Sequence, residues 1–255
     1  MRNCLILGSG RSGTSMVAGT LANAGYFMGD HLYPPRHSNP KGFFEDPEIN
    51  SINEALLTQV LPKRPPLLGR WFFYDRPRRG QFWLACIPLS TEIPLTSTLA
   101  KRIQAVTSKE PYCFKDPRFS YTLPVWKHFL NNVVYVCVFR HPSSTATSIL
   151  KECQSIPYLR DMSITLDKAL EVWTLMYRHI LEIHYRDGEW LFLHFDQLIA
   201  DEGLDRLEAL TGAPVDRNFP DPSLRRTFSS FPVPDEIQNI YKQLCDLAIY
   251  NDQSI

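Results

Sequence analysis

A short apolar segment that runs into a glycine-rich turn places the strongest constraint on the fold of this chain. Residues 5–21 read LILGSGRSGTSMVAGTL, which is an apolar run, a turn rich in glycine and serine, and then residues with helix-forming spacing. A strand that leads through such a turn into a helix presents backbone N–H groups to an anion, and the helix dipole adds to the attraction. The segment therefore predicts a phosphate-binding loop at the end of a buried strand.

The loop departs at one position from the P-loop that binds nucleoside triphosphates. In the pattern G-x-x-x-x-G-K-[ST], Gly8 and Gly13 match the glycines and Ser15 matches the hydroxyl residue, but Thr14 replaces the lysine. That lysine reaches the β- and γ-phosphates, so its absence disfavours ATP hydrolysis. Arg11 supplies positive charge from within the loop instead. The alternative is an ordinary strand-to-helix turn with glycines for packing.

Apolar runs alternate with helix-like patterns along the rest of the chain. The patterns predict strands at 2–8, 111–116, 132–140 and 189–195, and helices at 13–24, 48–61, 118–130, 142–152, 165–185, 203–211 and 234–249. This alternation predicts a three-layer α/β/α fold with a central parallel sheet. We expect a single domain over residues 1–255. Residues 62–97 are rich in proline, arginine and aromatics without clear periodicity, and are expected to form an irregular excursion.

Composition limits the possible partners. Lys plus Arg and Asp plus Glu both number 27, so the formal net charge is zero. No global basic field is available to attract nucleic acid or an anionic membrane, and an anion site must be local. None of the six cysteines forms a C-x-x-C pair, so a zinc site is not expected. No Asp/His cluster suggests another metal, and the cysteines, three of which lie in strand-like runs, are expected to be reduced. No apolar run approaches the ~20 residues of a membrane span. Residues 1–10 reach a glycine too early for a signal peptide, so a cytoplasmic protein is expected.

Three predicted strands end in polar motifs. They are GSGRSGTS at 8–15, KDPR at 115–118 and RHP at 140–142. Ligands of parallel sheets bind beyond the carboxyl ends of the strands, so the three motifs point to one site. Arg140 ends its strand and Ser148 lies eight residues later, two turns into the next helix. An arginine can bind a phosphate bidentately, and the serine can add a hydroxyl.

Together, these motifs resemble those of sulfotransferases that use 3′-phosphoadenosine 5′-phosphosulfate (PAPS). GRSGTS resembles the loop that binds the 5′-phosphosulfate, and FRHPSSTATS resembles the motif that binds the 3′-phosphate. CFKDPRF resembles the NKDPF segment of tyrosylprotein sulfotransferases, and VWTLMYRHI and LFLHFDQLI resemble that group's tryptophan-bearing helix and the strand after it. The resemblance covers roughly residues 3–212 and extends to bacterial sulfotransferases.

The resemblance implies a P-loop NTPase-like sulfotransferase fold, with PAPS as the donor substrate and 3′-phosphoadenosine 5′-phosphate (PAP) as the product. It also implies a donor site made of Arg11, Ser12, Gly13, Thr14, Ser15, Arg140 and Ser148. By the family's pattern, Lys115 faces the transferring group, and Arg11 is the second candidate to stabilise it. The alternative for Lys115 is a surface salt bridge with Asp116. Asp116 and Arg118 are expected to hold the loop in shape.

An acceptor hydroxyl needs a general base. Glu45 follows Gly42, Phe43 and Phe44, and burial against the aromatic rings would raise its pKa and improve it as a base. Asp46 precedes Pro47 and is expected to be the N-cap of the next helix. His31 and His37 remain alternative bases. Arg225 and Arg226 are further candidates for the 3′-phosphate or the adenine, with a solvated loop as the alternative.

The expected reaction moves a sulfuryl group by in-line displacement to a hydroxyl of a small molecule or a carbohydrate. Two other functions remain open: a P-loop nucleotide kinase or NTPase, and a non-catalytic nucleotide-binding module on the same fold. Aromatic residues are interleaved with arginines in segment 62–97. The aromatics could stack on a sugar or an aryl ring and the arginines could bind an anionic acceptor, or the segment could pack over the sheet. The patterns do not indicate an oligomeric state.

Overall fold

Four parallel strands form the centre of the protein, as seen in a computed structural model that describes residues 1–65, 72–224, 229 and 231–252. The strands are β1 (Asn3–Leu7), β2 (Cys113–Lys115), β3 (Val133–Phe139) and β4 (Glu189–His194). Their order in the described sheet is β2-β1-β3-β4. β1 therefore lies between β2 and β3, with Cys4 opposite both Cys113 and Val134. This order brings the carboxyl ends of β1, β2 and β3 together at one edge.

Helices cover both faces of the sheet. They are α1 (Thr14–Ala22), α2 (Pro47–Thr58), α3 (Ser97–Thr107), α4 (Phe119–Lys127), α5 (Pro142–Ser155), α6 (Leu166–Arg178), α7 (Asp201–Thr211) and α8 (Asp235–Ala248). Successive strand residues point to opposite faces. Cys4 and Ile6 pack with α1 and α7, whereas Leu5 and Leu7 pack in the core shared by the other helices. The predicted three-layer α/β/α architecture is confirmed.

Local signals in the sequence explain several helix ends. Asp46 caps α2, because its Oδ1 accepts hydrogen bonds from the N–H groups of Glu48 at 2.7 Å and Ile49 at 3.2 Å. Pro47 occupies the first position of that helix, where its missing N–H carries no penalty. Thr165 caps α6 through a hydrogen bond from the N–H of Lys168 at 3.2 Å. The N-cap predicted at Asp46 is confirmed.

Several elements differ from the prediction, most of them by a few residues at their ends. α3 (Ser97–Thr107) lies where no helix was expected. The long helix predicted over 165–185 divides into α6 and a π-helical segment, His179–His184. The first helix ends at Ala22 rather than at residue 24. The excursion expected at 62–97 is largely irregular where it is described, apart from a short 3₁₀ helix at Phe82–Leu84, and residues 66–71 lie outside the described part.

No helix in the described part of the chain is both long and apolar enough to cross a lipid bilayer. All six cysteines are free thiols, and five of them are buried: Cys4, Cys113, Cys137, Cys153 and Cys245.

Candidate functional site

The loop between β1 and α1 requires glycine at the two positions that the sequence pattern singles out. Gly8 has φ 133° and Gly13 has φ 100°, both in the region that side chains disfavour. A Cβ atom at Gly8 would lie 2.2 Å from the Val138 carbonyl oxygen. One at Gly13 would lie 2.6 Å from the Phe195 ring. The two glycines thus serve both the backbone path and the close packing of the loop.

Tyr177 of α6 holds this loop from the inside. Its hydroxyl donates to the Val138 carbonyl at 2.7 Å, lies 2.9 Å from Ser12 Oγ and accepts from the Ser9 N–H at 3.2 Å. Ser12 is fully buried, and its own N–H donates to the Ser9 carbonyl at 3.2 Å. The side chain of Ser12 therefore points towards Tyr177, and it lines neither of the two cavities described next.

The first turn of α1 contributes to the walls of two cavities. Their volumes are about 410 Å³ and about 160 Å³, called here the larger and the smaller cavity. Arg11, Thr14 and Ser15 line both. No side chain in the described part of the chain caps the N-terminus of α1, so the N–H groups of its first turn are available to an anion.

The smaller cavity contains the arginine and the serine that the sequence places eight residues apart. Arg140 follows β3, and its guanidinium carbon lies 4.7 Å from the centre of the Phe195 ring. Ser148 projects from α5 into the same cavity. Lys41 also lines this cavity; its Nζ donates to the Phe219 carbonyl and lies 3.8 Å from the Asp221 carboxylate.

Arg11 joins the loop to α5. Its Nε donates to Ser148 Oγ at 3.2 Å, and its Nη2 donates to the Ser38 carbonyl at 3.2 Å. Nη1 lies 3.7 Å from Glu152 Oε2, and Ser38 Oγ donates to the other oxygen of that carboxylate at 2.9 Å. Through this one side chain, the loop after β1 is linked to the motif that contains Arg140 and Ser148.

In the larger cavity, Lys115 and Glu45 form an ion pair between Nζ and Oε1. Their side chains are 2% and 14% exposed. The alternative of a surface salt bridge between Lys115 and Asp116 is wrong, because Lys115 is buried and Asp116 pairs with Arg118. β2 positions the lysine, and the segment that enters α2 positions the glutamate.

The pKa of Glu45 shifts in the direction opposite to the expectation. Burial by itself would raise this pKa, but the charges of Lys115 and Arg118 outweigh it, together with hydrogen bonds from Lys115 and Asn50. Asn50 Nδ2 donates to Glu45 Oε2 at 2.9 Å. The net effect holds the pKa of Glu45 below its usual value, so the carboxylate is ionised at neutral pH.

A buried ionic network supports this pair from the end of β2. Arg118 donates to Asp116 Oδ1 from its N–H at 2.8 Å and its Nη1 at 2.9 Å, and to Glu54 Oε1 from its Nε at 2.6 Å. Asn53 Nδ2 donates to Asp116 Oδ2 at 2.9 Å. Burial raises the pKa of Asp116, and the Arg118 charge opposes that rise. The network ties the loop after β2 to α2, which is the shape-holding role expected for Asp116 and Arg118.

The remaining candidates lie elsewhere. His31 and His37 are exposed and line neither cavity, and the His31 N–H donates to Asp46 Oδ2 at 2.9 Å. Arg225 and Arg226 lie outside the described residues. In the part of the chain that is described, no group of three His, Cys, Asp or Glu side chains could hold a metal ion.

Sequence reasoning missed four residues of this region: Lys41, Asn50, Glu152 and Tyr177. Lys41 is the one lysine in the SNPKGFFE stretch beside Glu45, and that position could have drawn attention to it. Asn50 falls one turn into the helix that Asp46 starts, so a Glu45–Asn50 contact could have been anticipated. Glu152 and Tyr177 carry no comparable signal.

Comparisons with known proteins agree with the observed fold. The model of the sulfotransferase family matches residues 4–214. The sulfotransferase domain from the curacin biosynthetic pathway superposes with a TM-score of 0.56 at 15% identity, over 98% of this chain and 99% of that one. The sulfotransferase domain from the Synechococcus PCC 7002 olefin synthase gives a TM-score of 0.52 at 18% identity, over 98% and 95%. A search of curated proteins finds no match.

Proposed function

This chain belongs to the sulfotransferase family, and from that premise we propose that it transfers a sulfuryl group from PAPS to an acceptor hydroxyl. One observation carries the proposal. The larger cavity holds the Lys115–Glu45 ion pair, and the smaller cavity, which shares the loop residues, holds Arg140 and Ser148. A donor with a reactive 5′ group and a separate 3′-phosphate needs two such anion sites on either side of one loop.

The residues present fit this donor. In the proposal, the N–H groups at the start of α1, with Thr14 and Ser15, bind the 5′-phosphosulfate. Arg140 and Ser148 bind the 3′-phosphate, and Lys41, which lines the same cavity, is a third ligand and the second cationic one. Ser12 shapes the loop through Tyr177 rather than contacting the donor with its side chain. Arg11 lies between the two cavities and can serve either end of the donor.

The proposed reaction is an in-line displacement. The acceptor oxygen attacks sulfur, the bond from sulfur to the 5′-phosphate oxygen breaks, and PAP leaves with the added negative charge. Lys115 and Arg11 stabilise that charge, which is larger in the transition state than in the ground state. Glu45 accepts the proton of the acceptor hydroxyl. As the Lys115 charge turns towards the leaving phosphate, it stabilises the Glu45 carboxylate less, and the carboxylate becomes a stronger base.

The test is sulfuryl transfer from labelled PAPS, with variants that separate base from donor binding. Glu45→Gln keeps the shape of the side chain and removes the base, so it should lower turnover by about 10² to 10⁴. PAP binding, measured by calorimetry, should persist. His31→Ala and His37→Ala serve as matched controls and should remain active. If Glu45→Gln stayed active while a histidine variant lost turnover, the base would be that histidine.

A further inference from the structure

Two arginines line the larger cavity without a carboxylate partner. Arg36 and Arg79 are both exposed there, and neither forms an ion pair within 4.0 Å in the described part of the chain. The carboxylates that line the same cavity are already bound by inner cations: Glu45 by Lys115, Glu54 by Arg118, and Glu152 by Arg11 at 3.7 Å. Positive charge that the protein does not neutralise therefore remains beside the proposed reaction centre.

An anchored turn presents Arg79. The next residue, Gly80, has φ 88° and donates its N–H to Glu54 Oε2 at 2.6 Å. The N–H of buried Gln81 donates to the Arg78 carbonyl at 2.8 Å, and its side-chain amide donates to the Tyr158 carbonyl at 2.6 Å. This segment belongs to the irregular excursion, yet its backbone is fixed against the wall of the cavity.

A second turn presents Arg36. Its N–H donates to the Asn39 carbonyl at 3.2 Å, and the Asn39 N–H donates back to the Arg36 carbonyl at 2.8 Å. The guanidinium carbon lies 5.9 Å from the centre of the Phe43 ring, which lines the same cavity. Two separate parts of the chain thus each direct an arginine to one cavity.

Apolar and aromatic side chains form part of this wall. They are Phe43, Pro47, Trp83, Pro117, Tyr158 and Leu159. Tyr158 is 49% exposed, so an apolar ring remains open to a ligand. A cavity with an apolar wall, a general base inside and two arginines suits a ligand that has an apolar body and a negative charge remote from its hydroxyl.

We propose that the acceptor is an organic anion, namely a hydroxylated carboxylic acid with an apolar body. This inference rests on the proposed function. The carboxylate binds Arg36 and Arg79, and the hydroxyl meets Glu45. The acceptor oxygen forms the new bond to sulfur, the hydroxyl proton moves to Glu45, and the bond from sulfur to the 5′-phosphate oxygen breaks. The acceptor's carboxylate takes no part in the bond changes and serves recognition alone.

The experiment compares three phenols that differ in the charge of their tails: para-hydroxyphenylpropionate, its primary amide and tyramine. Each is titrated by calorimetry with and without saturating PAP, and each is assayed for sulfuryl transfer from PAPS. We expect the carboxylate to exceed the amide by about tenfold or more in affinity and in kcat/KM, and to exceed tyramine further. The preference should weaken as salt is added. Arg36→Gln/Arg79→Gln should abolish it, while Arg186→Gln, an exposed arginine that does not line the cavity, should preserve it.

Each outcome decides the inference separately from the proposed function. Suppose that PAP binds, but the three phenols bind with equal affinity, tyramine is preferred, or the carboxylate does not bind. Any of these results overturns the anionic acceptor and leaves the donor assignment standing. Failure of PAP to bind overturns the donor assignment. The titrations without PAP still decide the charge preference in that case.

Discussion

The proposed reaction assigns different roles to the two partners of the Lys115–Glu45 ion pair. Lys115→Met removes a transition-state donor, so kcat should fall by roughly 10² to 10³ while PAP affinity changes much less. The same change removes the positive charge that offsets the effect of burial on Glu45, so the pKa of Glu45 should rise. The acid limb of the rate profile should then move to higher pH, because protonation of Glu45 removes the base.

Lys109→Met is the matched control for this variant, since Lys109 is an exposed lysine whose ion pair with Asp30 lies outside both cavities. It should leave kcat and the acid limb unchanged. Full turnover in Lys115→Met, with any acceptor that the wild-type protein uses, would make Lys115 a structural residue.

Lys41 is expected to recognise the 3′-phosphate. Because Lys41 lines the smaller cavity with Arg140 and Ser148, Lys41→Met should weaken PAP binding by about tenfold. It should leave the binding of AMP, which lacks the 3′-phosphate, nearly unchanged. Calorimetry on both nucleotides measures the difference, and Arg140→Ala, expected to cost ~2–4 kcal/mol of PAP binding, is the positive control. Equal losses for PAP and AMP would remove Lys41 from the 3′-phosphate site.

The sequence predicted the structural roles of some residues but not of others. Gly8 and Gly13 were predictable because the loop needs their backbone angles, and Asp46 because a helix start needs a capping oxygen. Tyr177 was not predictable, since its hydroxyl contacts Ser9 across 168 positions of the chain. The predicted direction of the Glu45 pKa shift was wrong. Burial against apolar neighbours in the sequence raises this pKa, but the charges that lower it come from Lys115 at the end of β2 and Arg118 in the following loop.

Helix α4 continues through Pro124 because another element replaces the hydrogen bond that proline removes. Pro124 has no N–H to give to the Ser120 carbonyl four residues earlier. His184, at the end of the π-helical segment, donates its Nε2–H to that carbonyl at 2.9 Å. Burial lowers the pKa of His184 to about 3, so the ring is neutral, and the carbonyl partner requires the proton on Nε2.

This contact predicts coupling between two distant positions. His184→Phe should cost about 1–3 kcal/mol, because it leaves the Ser120 carbonyl buried without a donor. Pro124→Ala restores an N–H within α4, so the double variant should recover about 1 kcal/mol relative to the sum of the single changes. Urea unfolding of the four proteins measures the coupling. Strictly additive losses would show that the two residues act independently.

The pH dependence of stability gives a second readout of the same histidine. The unfolded chain binds a proton at His184 below about pH 6.5, whereas the folded chain, with the pKa lowered, does not. The free energy of unfolding should therefore fall as pH drops from about 6.5. His184→Phe should reduce this slope, and an unchanged slope would indicate that His184 is protonated in the folded protein.

Among the elements, periodicity predicted the sheet and most helices, and it failed where local and tertiary effects compete. The buried residues Leu99, Ile103 and Thr107 of α3 follow helical spacing, but the irregular composition of the preceding segment obscured the start at Thr96. The division of α6 at His179 has no marker in the apolar stripe. The parallel orientation of the strands was predictable because strands alternate with helices along the whole chain.

Segments from distant parts of the chain meet around the proposed donor site. Segments 11–16, 38–41, 140–148 and 219–221 each contribute some of the residues that line the smaller cavity. A ligand that contacts all of them binds the folded chain only, so it must stabilise that state. The sequence indicated the first and third of these segments, because anion motifs are local, but it could not place Lys41 or Asp221 beside them.

The last prediction concerns the stability of the folded chain with nucleotides. PAP at about 100 times its Kd should stabilise the protein by ~2.7 kcal/mol, which raises the Tm of a chain of this size by roughly 5–10 °C. ATP with magnesium should raise the Tm less, because Thr14 replaces the lysine that binds the outer phosphates. Arg140→Ala should remove most of the PAP effect at the same concentration. A larger shift with magnesium ATP would favour a nucleotide kinase or NTPase, and no shift with either nucleotide would favour a binding module that has lost the donor site. A selective response to PAP that depends on Arg140 is the result that a PAPS-dependent sulfotransferase requires.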